Sequence, residues 1–345
     1  MHVTDPTLPA ELRIGVIGVG IMGADHVHRI ARRTKGARVS VVTDFLRDKA
    51  EELAAQVPGC RVVDTAEELI AAEDVDAVLI ASPGTFHQDQ AIACIDARKP
   101  VLCEKPLAMS PEDAYAVVEA ERASGEHWVS VGFMRRFETE YAELKDAIGT
   151  GELGQISIIN CKHRNASTRP GFVDTMMIYD SAVHEIDAIH YFLEEPITAV
   201  QVIKPLPGPR AEPEQHDPML FLFRTASGRI VTDELYVNTA SGYEVRTEVV
   251  GSEGIATIGL EIGRITAHTA GGQWGGSIPP DYRPRFAAAY DAEVQAWVDA
   301  VREGARVHAR SATAWDGYLA AAVCDAAEGA LAADGFVPVD VRERP

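Results

Sequence analysis

Two short stretches carry side chains able to move a proton and to steady a developing negative charge. The first is Cys103-Glu104-Lys105-Pro106, which continues an apolar run, Val101-Leu102-Cys103, of the kind that forms a buried parallel strand. Residues just past the carboxyl ends of parallel strands line the ligand crevice of an open α/β sheet. Lys105 there is placed to bind a substrate oxygen and to stabilise alkoxide-like charge. Taken alone, a lysine in such a turn fits an ordinary surface position equally well. The second stretch breaks the tie. In Tyr179-Asp180-Ser181-Ala182-Val183-His184-Glu185-Ile186-Asp187, Asp180 precedes His184 by four residues and Asp187 follows it by three, which places all three on one face of a helix. Ile186, Ile189 and Leu193 form a separate apolar stripe. Carboxylates flanking an imidazole set its tautomer and raise its basicity, as a general base requires. A metal site is the poorer reading, because a charged lysine already supplies the electrostatic stabilisation of a Lewis acid.

These groups need a scaffold, and the first third of the chain supplies one. Ile14 to Ile17, Val39 to Thr43, Arg61 to Val63, Ala77 to Ile80, Val101 to Cys103 and Trp128 to Val131 are short β-rich runs separated by helical stretches. Such alternation predicts a doubly wound parallel sheet covered on both faces. Gly18-Val19-Gly20-Ile21-Met22-Gly23 follows the first run and opens the first helix. In that setting Gly18 permits the tight turn, Gly20 lets the backbone approach a pyrophosphate, and Gly23 allows close helix–strand packing. The helix start, with Ile21 and Met22, offers N–H groups and the positive dipole end to phosphates. Asp44 ends the second run, 21 residues beyond Gly23. A carboxylate there accepts hydrogen bonds from the adenosine ribose and repels a 2′-phosphate, so NAD is expected over NADP. Arg47, three residues on, is the one nearby residue that would soften that preference.

Past Gly132 the pattern changes. A helix over 138–148 leads to strands at Ile156 to Ile159, Ala199 to Val202, Leu220 to Phe223, Ile230-Val231 and Val245 to Val250, with turn signals such as Ser227-Gly228 between them. Strands without intervening helices predict a mostly antiparallel sheet. One helix, 180–193, interrupts the series, and two more close the chain over about 285–303 and 312–333. Residues 204–218 and 270–284, rich in Pro and Gly, read as long loops. The expected organisation is an N-terminal doubly wound Rossmann domain over residues 1–132 and a C-terminal α+β domain, with a large, open sheet, over 133–345.

Composition bounds the rest. The 345 residues carry 32 basic and 52 acidic side chains, a net charge of −20. Such a field repels nucleic acid and anionic membranes, so neither is an expected partner. No run approaches the ~20 apolar residues of a membrane span. The N-terminus, with Asp5 and Glu11, lacks the basic and apolar regions of a signal peptide. Five cysteines, odd in number and without a C-x-x-C pair, read as free thiols in a reducing cytoplasm, with no structural zinc.

With the glycine loop, Asp44, Glu104-Lys105-Pro106 and the Asp180/His184/Asp187 helix in place, the chain resembles the glucose–fructose oxidoreductase/inositol dehydrogenase (Gfo/Idh/MocA) family over nearly its whole length. Gly132-Phe133-Met134-Arg135-Arg136-Phe137 is similar to the G-F-M-R-R-[YF] run of the inositol 2-dehydrogenase branch. The resemblance implies NAD-dependent oxidation of a ring hydroxyl of a small cyclic polyol, with Lys105, Asp180 and His184 as the catalytic triad. It implies polyol contacts at Arg135, His163, Asn165, Asp187 and Tyr243. It places Ser82, Pro83, His87 and Glu104 near the nicotinamide, and it suggests a cis bond before Pro106 and a homotetramer built on the open sheet face. The branch usually has Asp after its aromatic residue, whereas this chain has Glu138, a position expected on a helical surface. Rival readings are dehydrogenation of another polyol or a sugar and, from another class, a non-catalytic NAD-binding sensor. A sensor is expected to lack Lys105 or His184, and both are present.

Overall fold

A computed structural model describes residues 11–213, 215–259, 267–269, 272–274 and 279–345. The chain folds as two units. One comprises the chain up to Met134 with Ala289–Ala321 and Glu343–Pro345, and the other Arg135–Ala288 with Ala322–Arg342.

The first unit begins β1 (Leu12–Ile17), α1 (Ile21–Arg32), β2 (Ala37–Thr43), α2 (Arg47–Ala54), β3 (Arg61–Val62), α3 (Ala66–Ala71), β4 (Ala77–Ile80), α4 (His87–Asp96), β5 (Val101–Glu104), α5 (Pro111–Ser124) and β6 (Val129–Gly132). These six strands are parallel and lie in the order β6-β5-β4-β1-β2-β3. The order reverses between β1 and β4, which puts the ligand crevice beyond their carboxyl ends. Helix boundaries follow local chemistry. Thr65 caps α3 by accepting from Glu68 N, and Ser110 caps α5 by accepting from Asp113 N, with Pro111 in the first turn. Gly125, at φ 77°, ends α5 in the left-handed conformation.

The second unit opens with α6 (Thr139–Gly149) and β7 (Ile156–Arg164), followed by a short α turn, α7 (Asp174–Met176), a π-helical turn (Met177–Ala182) and α8 (Val183–Leu193). Then come β8 (Ile197–Ile203), β9 (Met219–Thr225), β10 (Ile230–Tyr236), β11 (Glu244–Gly251) and β12 (Ile255–Ile258). Two three-residue strands, β13 (Ala267–Thr269) and β14 (Gly272–Trp274), pair with each other. They fall partly within the stretch 270–284 expected as a loop, the remainder of which up to residue 278 lies outside the described residues. The main sheet runs β12-β11-β7-β10-β9-β8 and is antiparallel except where β10 lies parallel to β7. Glu138 is the N-cap of α6, accepting from Tyr141 N, and it bonds Arg285 Nη1 at 2.9 Å. Its side chain is 12% exposed, so the helical-surface position expected for it is corrected to a cap.

The chain then returns. α9 (Tyr282–Arg302), β15 (Ala312–Thr313), α10 (Ala314–Ala330) and β16 (Val337–Pro338) complete it. β15 adds antiparallel to β6 in the first sheet, and β16 adds to β8 in the second. Val294, Trp297, Val298 and Val301 pack into the same apolar core as Leu12, Val27 and Val39. Residues 289–321 therefore complete the first unit, whereas the linear reading gave everything after 132 to the second. Period and propensity are local, and they carry no record of which sheet a late helix covers.

Candidate active site

The dinucleotide cradle follows directly from the glycines. Gly18 stands at φ +86°, and a Cβ on it would lie 2.6 Å from Ser82 N. A Cβ on Gly23 would sit 1.9 Å from Gly18 O. Protein packing thus demands both glycines. Gly20 is different, because no protein atom lies within 4 Å of a Cβ built there. The space before Gly20 is open, and a pyrophosphate at the helix start fits it. No acidic residue stands in the first turn of α1, and Ile21 is 73% exposed beside it. The Asp44 carboxylate accepts from Val19 N at 2.7 Å and from Leu46 N at 2.8 Å. Those two bonds hold it over the glycine loop in place to accept from a ribose. Arg47 pairs with Glu51 at 2.8 Å and with Asp64, two exposed carboxylates that partly offset its charge.

The second part of this unit is the turn after β5. The Lys105–Pro106 bond is cis. His87 joins this turn to the one after β4, with Nδ1 2.7 Å from Pro106 O and Nε2 2.8 Å from Ser82 O. Pro83 precedes the short 3₁₀ turn that leads into α4, and Ser82 Oγ donates to Gln90 Oε1 at 2.7 Å. Glu104 is buried and meets His26 Nε2 at 2.7 Å, while Arg29 Nη1 donates to His26 Nδ1 at 3.1 Å. The arginine can only donate, so His26 holds its proton on Nε2 and gives that hydrogen bond to Glu104. Burial would raise the Glu104 carboxyl, but the His26 bond and the nearby charge of Lys105 outweigh it and hold the group below its ordinary pKa. The backbone N–H of Lys105 faces Glu104 Oε2 at 3.3 Å. Lys105 is thus carried on a turn fixed from both sides. His26 gave no sequence signal, since its partner lies 78 positions away.

In the second unit the π turn Met177–Ala182 widens the helix where Asp180 lies and passes into α8 before His184. Such π turns recur at functional sites. The strict four-residue face assumed from the sequence does not describe this segment. The side chain of Asp180 is 42% exposed, with Arg169 Nη2 3.9 Å away, and His184 is 7% exposed. Asp187, expected from the resemblance as a polyol contact, has a protein partner in the structure. It is 2% exposed, and its carboxylate accepts from Arg136 Nε at 3.0 and 3.1 Å and from Nη2 at 2.6 Å. Such a forked pair joins the start of this unit to the helix.

Arg135, His163 and Tyr243 do come together, around a residue that sequence reasoning passed over. Glu185 Oε1 accepts from Arg135 Nη1, and Oε2 faces His163 Nδ1 at 3.0 Å. Tyr243 packs edge-on against His163 with ring centroids 5.6 Å apart, and burial pushes its hydroxyl up to about 12. Asn165 lies at the end of this row, and among the described residues its buried Oδ1 meets no donor. Burial would raise Glu185, yet the Arg135 charge and the His163 contact outweigh it and bring the carboxyl down to about 2. Asp233 on β10 is fully buried, and among the described residues neither of its oxygens is hydrogen-bonded; burial together with the Glu185 charge pushes its carboxyl well up. A signal for it existed. Val231, Asp233 and Leu235 share the inward phase of one strand, all fully buried, so an acid there breaks the alternation.

Asp233 yields a stability prediction with a definite sign. A carboxyl whose folded pKa is raised costs stability once the unfolded chain ionises, and that cost grows as pH rises toward the folded pKa. Asp233→Asn removes the titration. The variant is expected to gain in melting temperature relative to wild type between pH 5 and pH 8, and scanning calorimetry at both values checks this. A difference that does not change with pH would show that Asp233 is ionised in the folded protein.

The fold and the cradle define an NAD-binding oxidoreductase. A model of the oxidoreductase family with an NAD-binding Rossmann fold matches residues 12–133, and one of the GFO/IDH/MocA C-terminal domain matches residues 141–257. The chain belongs to the Gfo/Idh/MocA oxidoreductase family. It is 49% identical over 337 residues to the inositol 2-dehydrogenase of Mycolicibacterium smegmatis, covering 96% of this chain and 97% of the relative. The inositol 2-dehydrogenase of Rhodococcus erythropolis is 49% identical over 336 residues, with 97% of each chain covered. The solved structure of the myo-inositol dehydrogenase of Lactobacillus casei with NAD(H) and myo-inositol superposes with a TM-score of 0.91 at 29% identity, covering 97% of this chain and 98% of that one.

Proposed function

We propose that this protein oxidises a ring hydroxyl of an inositol, of the myo-inositol to 2-keto-myo-inositol type, with Lys105, Asp180 and His184 as its catalytic residues. The observation that carries the reading is the joint presence of the NAD cradle, Lys105 on its braced turn and His184 on α8, in a chain 49% identical to inositol 2-dehydrogenases along its length. Gly18, Gly20, the start of α1 and Asp44 would hold NAD, which when bound supplies the hydride acceptor. His184 takes the hydroxyl proton of the carbon being oxidised. Lys105 donates to the same oxygen and steadies its growing negative charge. Asp180 orients His184. Arg135, His163, Asn165 and Tyr243 are the polyol contacts, while Asp187 holds Arg136 in place.

Among the described residues no helix is long and apolar enough to cross a membrane. The five free cysteines fit a reducing cytoplasm. Ile158 and Ile255, 44% and 65% exposed, are apolar side chains of the second sheet that a homo-oligomer would cover.

The experiment is NADH formation from NAD across myo-, scyllo- and chiro-inositol, glucose and an amino-inositol. Turnover of an inositol at the highest kcat/KM is expected. NADH from glucose alone would move the assignment to a sugar dehydrogenase, and none from any of them would favour a sensor.

A further inference from the structure

Glu185 stands beside His184 on α8 but belongs to the buried cluster described above. Both of its oxygens are used, one by Arg135 and one by His163. A carboxylate only accepts, so the His163 nitrogen 3.0 Å from it must carry a proton. Arg135 Nη2 also lies near that nitrogen, at 3.4 Å, and could donate only to a lone pair there, but the carboxylate is nearer and takes the proton. In the neutral ring one nitrogen donates and the other accepts. With Nδ1 donating to Glu185, Nε2 is left as a lone pair. We infer that Glu185 is a positioning residue that sets the tautomer of His163, so that His163 Nε2 accepts a hydrogen bond from one hydroxyl of the substrate while Arg135 is held beside it. The inference rests on the polyol reading above and names the side of the ring on which that reading needs an acceptor.

The same cluster sets what happens to this tautomer when Glu185 is neutralised. Arg135 and Glu185 are both 2% exposed in their side chains, and removing one member of such a pair ordinarily leaves an uncompensated charge. Here a second acid, Asp233, is buried nearby, and burial followed by the charge of Glu185 pushes its carboxyl well up. Neutralising Glu185 removes one of the two main causes that raise Asp233 and leaves the Arg135 charge, which lowers it, in place. In Glu185→Gln the amide has one accepting oxygen, which the guanidinium claims, and an NH₂ group that then faces His163 Nδ1. Nδ1 must accept, the proton moves to Nε2, and the acceptor becomes a donor.

The test measures kcat/KM at pH 8 for myo-inositol and each monodeoxy-inositol. In wild type, deleting the hydroxyl that donates to Nε2 is expected to lower kcat/KM by ~10-fold or more, because the site's acceptor is left unpaired. Glu185→Gln is expected to lose ~10-fold for myo-inositol, mostly in KM, and to show a deoxy penalty of about twofold or less at that position. Its NADH affinity, read by fluorescence titration, should stay within about twofold of wild type. His163→Asn, whose amide can still donate toward Glu185 but which lacks Nε2, should lose the same penalty, and it decides the question if Glu185→Gln does not fold. A penalty that persists undiminished in the variants, or no penalty at any position in wild type, overturns the inference. A wild-type protein that turns over no inositol fails at the polyol reading instead and takes the inference with it.

Discussion

Replacing His184 or Lys105 with alanine is expected to slow inositol-dependent NADH formation by ~10²-fold or more while leaving NADH binding in place. The two side chains do different work. In the proposed mechanism His184 removes a proton as hydride leaves the same carbon, and without it the proton must pass to water. In the same mechanism Lys105 compensates the charge that gathers on oxygen, and without it that charge develops without a cation to offset it. Neither group belongs to the glycine loop or to the Asp44 contacts that hold the dinucleotide. Kd for NADH by fluorescence quenching and kcat by absorbance at 340 nm, a wavelength set by the reduced cofactor, separate the two effects. Near-wild-type rates in both variants would sink the assignment. A loss of NADH affinity equal to the loss in kcat would mean that the substitutions had damaged the fold of the cradle.

Asp187→Ala is expected to lower the unfolding free energy by about 3–5 kcal/mol, the cost of stripping one partner from a buried ion pair. The Arg136 guanidinium, 8% exposed, would be left without the carboxylate that accepts from both its Nε and its Nη2. Tyr191 faces the same guanidinium at 5.3 Å, too weak a contact to replace the carboxylate. Urea unfolding followed by circular dichroism measures the loss, and the double variant Asp187→Leu/Arg136→Met supplies the control. Two apolar residues of similar volume leave no orphan charge, so the double variant should recover most of the stability. If Asp187→Ala keeps the wild-type midpoint and instead raises KM for inositol, Asp187 contacts substrate and the ion pair is incidental.

Much of this site was legible in one dimension because its signals are local. The turn after β1, the acid at the end of β2 and the lysine after β5 each depend on neighbours a few residues away and on strand ends that apolar runs mark. Gly18, Gly20, Gly23, Asp44 and Lys105 stand where the strand–turn–helix pattern placed them. Arg135, His163 and Tyr243 were named from the resemblance, and the structure gathers them around one carboxylate. Asp187 read as a functional acid because spacing reports which face a residue occupies but not what waits there. The partner that claims it, Arg136, is 51 positions away.

By itself, then, the sequence determined a parallel NAD-binding sheet followed by a mostly antiparallel one, and it supplied a lysine and a histidine suited to hydride-transfer chemistry. Only the tertiary structure decided that Asp187 pairs with Arg136, that Glu185 and Asp233 are buried near Arg135 and His163, and that residues 289–321 complete the first unit. The reason is physical. Turn chemistry and strand period act over a few residues, whereas the cost of burying a charge is settled by whichever distant partner the fold brings within about 3 Å.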